Sequence, residues 1–171
     1  MMTLACMNMG SPVGELTLVA GSQGLMAILW PDDDPARVRL DDRIEAPDHP
    51  VLLETAKQLG EYFAGTRRLF SVPLQFQGTD FQRQVWAALL AIPFGETRSY
   101  ADIARAIGRP TATRAVGAAN GRNPISIIAP CHRVVGSNGA LTGFAGGIET
   151  KKFLLDLEGA REPQSTQAVL F

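Results

Sequence analysis

TATRAVGAANGRNPISIIAPCHRV, residues 111–134, is the stretch on which the reading of this chain turns. Its first half predicts a helix from Ala112 to Asn120 with Thr111 as cap. Arg114, Gly117, Ala118 and Gly121 then fall at i, i+3, i+4 and i+7 and share one face. A core face would carry larger side chains. A solvent face would not favour two glycines, each costing about 1 kcal/mol in a helix. A bare face with one arginine suits close approach to another backbone. A DNA strand is one candidate for that backbone, and a tightly packed helix is the other.

Asn123-Pro124 closes the helix, and Ile125-Ser126-Ile127-Ile128-Ala129 reads as an apolar strand running into Pro130-Cys131-His132-Arg133-Val134. A cysteine beside a histidine suits a nucleophile with its base. The thiolate attacks rather than the thiol. Neighbours on a strand point to opposite faces, so His132 is expected to take the proton directly or through a water. Arg133 is expected to favour the thiolate. A buried structural cysteine is the competing reading, and the Cys-His pair alone leaves both open.

Upstream, Thr79-Asp80-Phe81-Gln82 is a capping box opening a helix that buries Phe81, Val85 and Leu89 and stops near Pro93. Ser99 caps the next helix, whose buried face is Tyr100, Ile103, Ala104 and Ile107. Gly108 and Pro110 end it. With the helix beyond Thr111 this makes a helix-turn-helix signature. Downstream, Gly136-Ser137-Asn138-Gly139 is a turn and Gly143-Phe144-Ala145-Gly146-Gly147 a glycine-rich loop. A last helix, about Ile148 to Glu158, is expected to pack Phe153, Leu154 and Leu157, with Gly159 as its stop. Glu158 on the final turn opposes the helix dipole, which hints at a task for it.

The N-terminal part reads as α/β. Leu16, Leu18 and Ala20 alternate, as do Leu25, Ala27 and Leu29 after a Gly21–Gly24 turn, giving a hairpin with one face buried. Residues 31–48 are acidic and proline-punctuated, a loop with one short strand at 36–40. Leu52, Ala56, Leu59 and Phe63 predict a helix over 50–64. Phe70, Val72, Leu74 and Phe76 alternate around Pro73, as in an edge strand. Three parts are expected: an α/β supporting lobe over 1–77, a second domain over 78–160 that carries the helix-turn-helix and the Cys-His pair, and a mobile tail over 161–171.

Composition sets the outer bounds. The chain has 171 residues, of which 46% are hydrophobic and 19% charged, which describes a soluble globular protein. No run approaches the roughly 20 apolar residues that span a bilayer, and the N-terminus has no signal-peptide pattern. Cys6 and Cys131 form no disulfide framework, in keeping with a reducing cytoplasm. With His49 and His132 they are too scattered for a zinc motif, so neither metal nor cofactor is expected. The net charge of −1 conceals a division. Residues 1–77 carry 6 Lys+Arg against 10 Asp+Glu, while residues 78–158 carry 9 against 6. Six arginines (Arg98, Arg105, Arg109, Arg114, Arg122, Arg133) face one acid, Asp102, within residues 98–133. Their planar donor forks suit phosphate.

PCHRVV, preceded by RAVGAANGRNP and followed by GFAGG and KKFLLDLEG, closely resembles the O6-alkylguanine-DNA alkyltransferases. The likeness is dense from Phe81 to Gly159 and one of layout over 1–77. It implies an RNase H-like α/β lobe followed by a mainly helical lobe with a winged helix-turn-helix. It further implies minor-groove binding of double-stranded DNA through Thr113, Arg114, Gly117, Ala118, Gly121 and Arg122, with Arg114 filling the gap left by a flipped-out base. Cys131 would take the alkyl group from O6-alkylguanine, with O4-alkylthymine a further substrate. His132 would be the base, acting through water, with Glu158 orienting it. Tyr100 would donate to the departing guanine, and Asn123 would brace the turn into the site. The carbonyls of Cys131 and Val134 would receive the exocyclic amine, Phe144 would form an apolar wall, and the Ala145 N–H would face O6. The thioether has no easy leaving group, so the protein is spent after one event.

The resemblance also implies a monomer. Phe144 stands where many relatives have tyrosine. The zinc ligands of some relatives are missing, as is the extra N-terminal domain of those that double as regulators. A sister group that binds lesions without repairing them carries tryptophan at the cysteine position, and Cys131 argues against that group. A lesion sensor and a cysteine hydrolase remain the competing classes.

Overall fold

The computed structural model describes residues 3–160, so the tail expected from Arg161 onward lies outside them. The chain divides into two units, Met1–Gln77 with Pro124–Ser126, and Gly78–Asn123 with Ile127–Phe171.

The first unit is a four-stranded sheet in the order β3-β2-β1-β4, built from β1 (Leu4–Met9), β2 (Leu16–Ala20), β3 (Leu25–Leu29) and β4 (Arg43–Glu45), with helix α1 (Pro50–Phe63). The first three strands are antiparallel neighbours and β4 runs parallel to β1. The expected hairpin is present, but both of its faces are covered. Leu16, Leu18 and Ala20 are buried on one side; Val19 and Ala27 are buried on the other, in a cluster with Leu4, Met26, Val38 and Leu40. The acidic segment therefore lends apolar side chains to the core. Its strand lies at Arg43–Glu45 rather than at 36–40. An Asp33–Arg37 ion pair at 2.7 Å and an Asp34 carboxylate that accepts from the Ala36 N–H hold the earlier residues in a turn.

The expected strand over 70–76 reduces to a single parallel bridge between Leu74 and Leu25. Pro73 has no N–H for a ladder; it contributes only its carbonyl, to Leu25 N–H at 2.8 Å. Helix α1 also presents a face slightly different from the apolar pattern. Thr55, Gln58 and Tyr62 are buried with Leu52 and Leu59, whereas Ala56 and Phe63 are half-buried. Gln58 can be buried because its amide is satisfied: it donates to Glu54 and Ser71 and accepts from the Ser71 N–H. Pro124–Ser126 join this unit through an Ile125–Ile28 bridge and a hydrogen bond from the Trp30 indole to Ser126.

The second unit contains α2 (Asp80–Leu90), β5 (Arg98–Ser99), α3 (Tyr100–Ala106), α4 (Thr113–Gly121), a 3-10 turn (Cys131–Arg133), β6 (Val134–Val135) and α5 (Ile148–Leu157). Thr79 and Ser99 form full capping boxes with Gln82 and Asp102. Helices α2 and α3 both pack on α4. Their core is Val85, Trp86, Leu89, Ile103, Ala104, Val116 and Ala119. Phe81 is only half-buried; Trp86 takes the central place and its indole N–H donates to the Ala119 carbonyl at 2.9 Å. Burying a side chain of this size contributes about 3 kcal/mol. Thr111 does not cap α4: the cap position is Ala112, with no side-chain bond. The two-residue strands β5 and β6 pair in parallel and complete the winged helix-turn-helix.

Candidate active site

Cys131 does not lie on a strand. The apolar run is broken at Ile127, whose φ of +74° is rare for a β-branched residue and costs of order 1–3 kcal/mol. The chain then tightens into the 3-10 turn, with the Cys131 N–H bonded to the Ala129 carbonyl at 2.7 Å and the Arg133 N–H to the Pro130 carbonyl at 2.9 Å. Asn123, fully buried, donates its amide to that same Ala129 carbonyl at 2.8 Å and so holds the entry to the turn. All three turn residues are buried.

Burying His132 and Arg133 requires partners, and Glu158 supplies them. Its Oε2 lies 2.7 Å from His132 Nε2, while Arg133 donates to Oε1 at 2.8 Å and to Oε2 at 3.0 Å. The remaining guanidinium direction is taken by the Ile92 carbonyl at 2.6 Å. Burial pushes the Glu158 carboxyl up, but the hydrogen bonds and charges of His132 and Arg133 outweigh it and hold the group at about 2. Glu158 is therefore ionised and can only accept, so His132 Nε2 carries the proton. Burial lowers His132 below its usual range despite Glu158, which keeps the ring neutral near pH 7. Its other nitrogen, Nδ1, is buried without a hydrogen-bond partner among the described residues. A neutral ring with one free lone pair is a base waiting for a proton. Arg133, expected to favour the thiolate, instead neutralises Glu158.

A buried cation that interacts electrostatically with Cys131 is Lys151. It is buried in α5, and burial lowers its ammonium to about 8 against the opposing pull of Cys131. Its Nζ donates to the Val134 carbonyl at 2.7 Å and lies 3.3 Å from the Thr142 hydroxyl. That hydroxyl is hydrogen-bonded to the Tyr100 hydroxyl. Tyr100, the first residue of α3, is thus half-buried rather than packed in the core. Val134 keeps one carbonyl lone pair beyond the one Lys151 uses.

Sequence reasoning missed Lys151 and Thr142. Lys151 left a trace, since it shares the i, i+3, i+4 face of α5 with the buried Leu154 and Leu155. Phe153, expected in that core, is 39% exposed. Thr142 left none.

The remaining predicted residues lie on the surface of the same unit. In α4, Val116, Ala119 and Asn120 are buried, while Thr113, Arg114, Ala118 and Gly121 are exposed, as is Arg122 just beyond. The bare face does not serve helix packing within this unit. A Cβ at Gly121 would meet nothing within 4 Å, and one at Gly117 only the Tyr100 ring at 3.9 Å. Arg114 has no ion pair among the described residues. Phe144 is half-buried and Ala145 exposed in the turn before α5. No group of three or more His, Cys, Asp or Glu among the described residues could hold a metal, and no described helix is long and apolar enough to cross a membrane.

A buried cysteine beside a histidine held by a carboxylate, in one unit with a helix-turn-helix whose outer helix face is open, fits a cysteine-based enzyme attached to a DNA-binding element. The family model for the DNA-binding domain of 6-O-methylguanine DNA methyltransferase matches residues 80–160, and that for its ribonuclease-like domain matches residues 5–76. The chain is 48% identical over 155 residues to the methylated-DNA–protein-cysteine methyltransferase of Methanosarcina acetivorans, covering 88% of this chain and 95% of the relative. It is 48% identical over 152 residues to the constitutive methylated-DNA–protein-cysteine methyltransferase of Bacillus subtilis, covering 86% and 91%. Among solved structures, Mycobacterium tuberculosis OGT in complex with DNA matches with a TM-score of 0.82 at 45% identity, covering 96% of this chain and 98% of that one. The chain belongs to the 6-O-methylguanine DNA methyltransferase family, with a ribonuclease-like N-terminal domain and a DNA-binding C-terminal domain.

Proposed function

We propose that this protein repairs double-stranded DNA by moving the alkyl group of O6-alkylguanine irreversibly onto its own Cys131. The observation that carries the reading is the neutral His132, the residue after the cysteine, fixed by Glu158 through Nε2 and left with an unpartnered Nδ1. A water bridging Nδ1 and the thiol passes the proton to His132, and the ammonium of Lys151 favours the thiolate that results. The sulfur attacks the alkyl carbon, the carbon–O6 bond breaks, and its electron pair enters the guanine ring. Tyr100 donates its proton to that ring, so no anion has to leave. The thioether has no leaving group and each molecule acts once.

The lesion is reached by flipping the base through the minor groove, where α4 lies against the backbone with its glycine face and Arg114 enters the vacated stack. Phe144, Ala145 and the carbonyls of Cys131 and Val134 form the base pocket. The small Ala145 and its neighbouring glycines admit bulkier groups such as benzyl, and O4-alkylthymine is a further substrate. The protein acts as a monomer in the cytoplasm.

Intact-protein mass spectrometry after mixing with a duplex carrying one O6-methylguanine tests the reading. The expected result is a gain of one methylene mass, at most one per molecule, absent in Cys131→Ser. Tight lesion binding with no mass gain would instead indicate a sensor, and repeated turnover without retained alkyl group a hydrolase.

A further inference from the structure

Three polar side chains from separate elements meet behind the site. Lys151 comes from α5, Tyr100 from the start of α3, and Thr142 from the loop between β6 and α5. The contacts run in series, Val134 carbonyl to Lys151 ammonium, ammonium to Thr142 hydroxyl, and Thr142 hydroxyl to Tyr100 hydroxyl. Hydrogen-bond arithmetic permits the series to run in one direction. An ammonium has donors and no acceptor, so Lys151 can only donate to Thr142. The Thr142 oxygen has then accepted, and its own single proton is free for the Tyr100 oxygen. If Thr142 donates, Tyr100 must point its proton elsewhere.

We propose that Thr142 is a positioning residue for the leaving-group step, its hydroxyl donating to the Tyr100 oxygen and thereby turning the Tyr100 proton toward the departing guanine. The proposal rests on the alkyl-transfer reading above. In the step, the S–C bond forms and the C–O6 bond breaks. The Tyr100 proton moves to the guanine ring, the Thr142 proton moves to the tyrosinate oxygen, and a Lys151 proton replaces it on Thr142. The net transfer is one proton from ammonium to guanine. A charged chain of this kind polarises each link, which strengthens the next. An ammonium held at about 8 releases its proton more readily than free lysine does, which supports its place at the end of the chain. The titratable groups facing Lys151 are Cys131, whose charge acts on it, and His132, which feels its charge in turn, both on the 3-10 turn, with Tyr100 across Thr142.

The test compares single-turnover methyl transfer by wild type, Thr142→Val and Thr142→Ser, read by mass spectrometry. The substrates are duplexes carrying O6-methylguanine or its 8-oxo counterpart, whose extra carbonyl stabilises negative charge on the departing ring. Valine keeps the shape and removes the hydroxyl; serine keeps the hydroxyl. Thr142→Val is expected to slow transfer from O6-methylguanine by about tenfold or more, a fraction of what a positioned general acid supplies, with Thr142→Ser staying within about threefold of wild type. The valine penalty shrinks on the 8-oxo substrate, because a better leaving group needs the proton less. Equal rates for valine and wild type, a serine variant as slow as valine, or the same penalty on both substrates would each overturn the assignment. The last outcome would place the effect on the nucleophile. If Thr142→Val does not fold, Thr142→Ala takes its place in the comparison. Failure of the wild type itself to gain mass would overturn the alkyl-transfer reading, and that result is distinct from any difference among variants.

Discussion

The Cys131 turn and the outer face of α4 lie in the same unit and both carry charge, yet they treat it in opposite ways. Around the turn, His132, Arg133, Lys151 and Glu158 are all buried, and each is hydrogen-bonded within the protein. On α4, Arg114 is exposed with no ion pair among the described residues, and the glycines beside it are not required by packing. A buried charge must find a counter-charge or hydrogen-bond acceptors during folding, because leaving it unpaired costs more than the fold can spare. A surface charge can wait for a ligand. On the proposed reading the first region serves chemistry and the second contact, and mutations should separate them cleanly.

The largest effect is expected at the turn itself. Cys131→Ala abolishes the mass gain on lesion-bearing DNA while leaving DNA affinity in a gel-shift assay near wild type. Loss of both together would mean that the two regions are not separable.

Glu158→Gln comes next, because it strands the Arg133 guanidinium and lets the His132 ring choose its tautomer. Denaturant titration should show a loss of about 3–5 kcal/mol, with transfer slowed by at least tenfold under conditions where the variant is folded. The same carboxylate governs acid stability. Its pKa is depressed from the ordinary 4.5 to about 2, so its contribution is complete above 4.5 and is lost as pH falls from 4.5 toward 2. His132 is depressed as well, so its contribution is complete above 6.5 and begins to be lost as pH drops below 6.5. Melting temperature should accordingly decline in two stages on acidification, and Glu158→Gln should lack the lower one. A melting temperature independent of pH between 7 and 3 would contradict the buried pairing.

Arg114→Ala should do the converse. Stability stays within about 0.5 kcal/mol of wild type, as for an exposed side chain with no partner. DNA affinity falls by about tenfold, and the slope of log affinity against log salt drops by up to about one if the arginine reaches a phosphate. The smallest and most diagnostic change is Gly121→Ala. A Cβ there meets open space in the free protein, so helix propensity should raise stability by about 0.5–1 kcal/mol. The same methyl group should weaken DNA binding if a backbone approaches that face. A Gly121→Ala protein that is more stable and binds DNA unchanged would show that α4 meets nothing at this point.

Local patterns made much of this legible in advance. The capping boxes at Thr79 and Ser99, the i, i+3, i+4, i+7 spacing on α4 and the hairpin of β2 and β3 follow from rules between near neighbours, and the structure has each of them, though the hairpin is covered on both faces. Where such rules misled, another local feature outweighed them. Pro73 could not carry a ladder, an Asp33–Arg37 pair displaced the strand toward β4, and Ile127 turned a strand-like apolar run into a 3-10 turn. The sequence could name Cys131, His132 and Glu158 as a set, since their residue types limit the chemistry open to them. It could not say that Arg133 belongs to Glu158, that a buried Lys151 interacts with the cysteine, or that Thr142 joins it to Tyr100. A charged side chain's partner is fixed by burial, where any unpaired charge is expensive, and burial is a property of the folded chain rather than of any stretch of it.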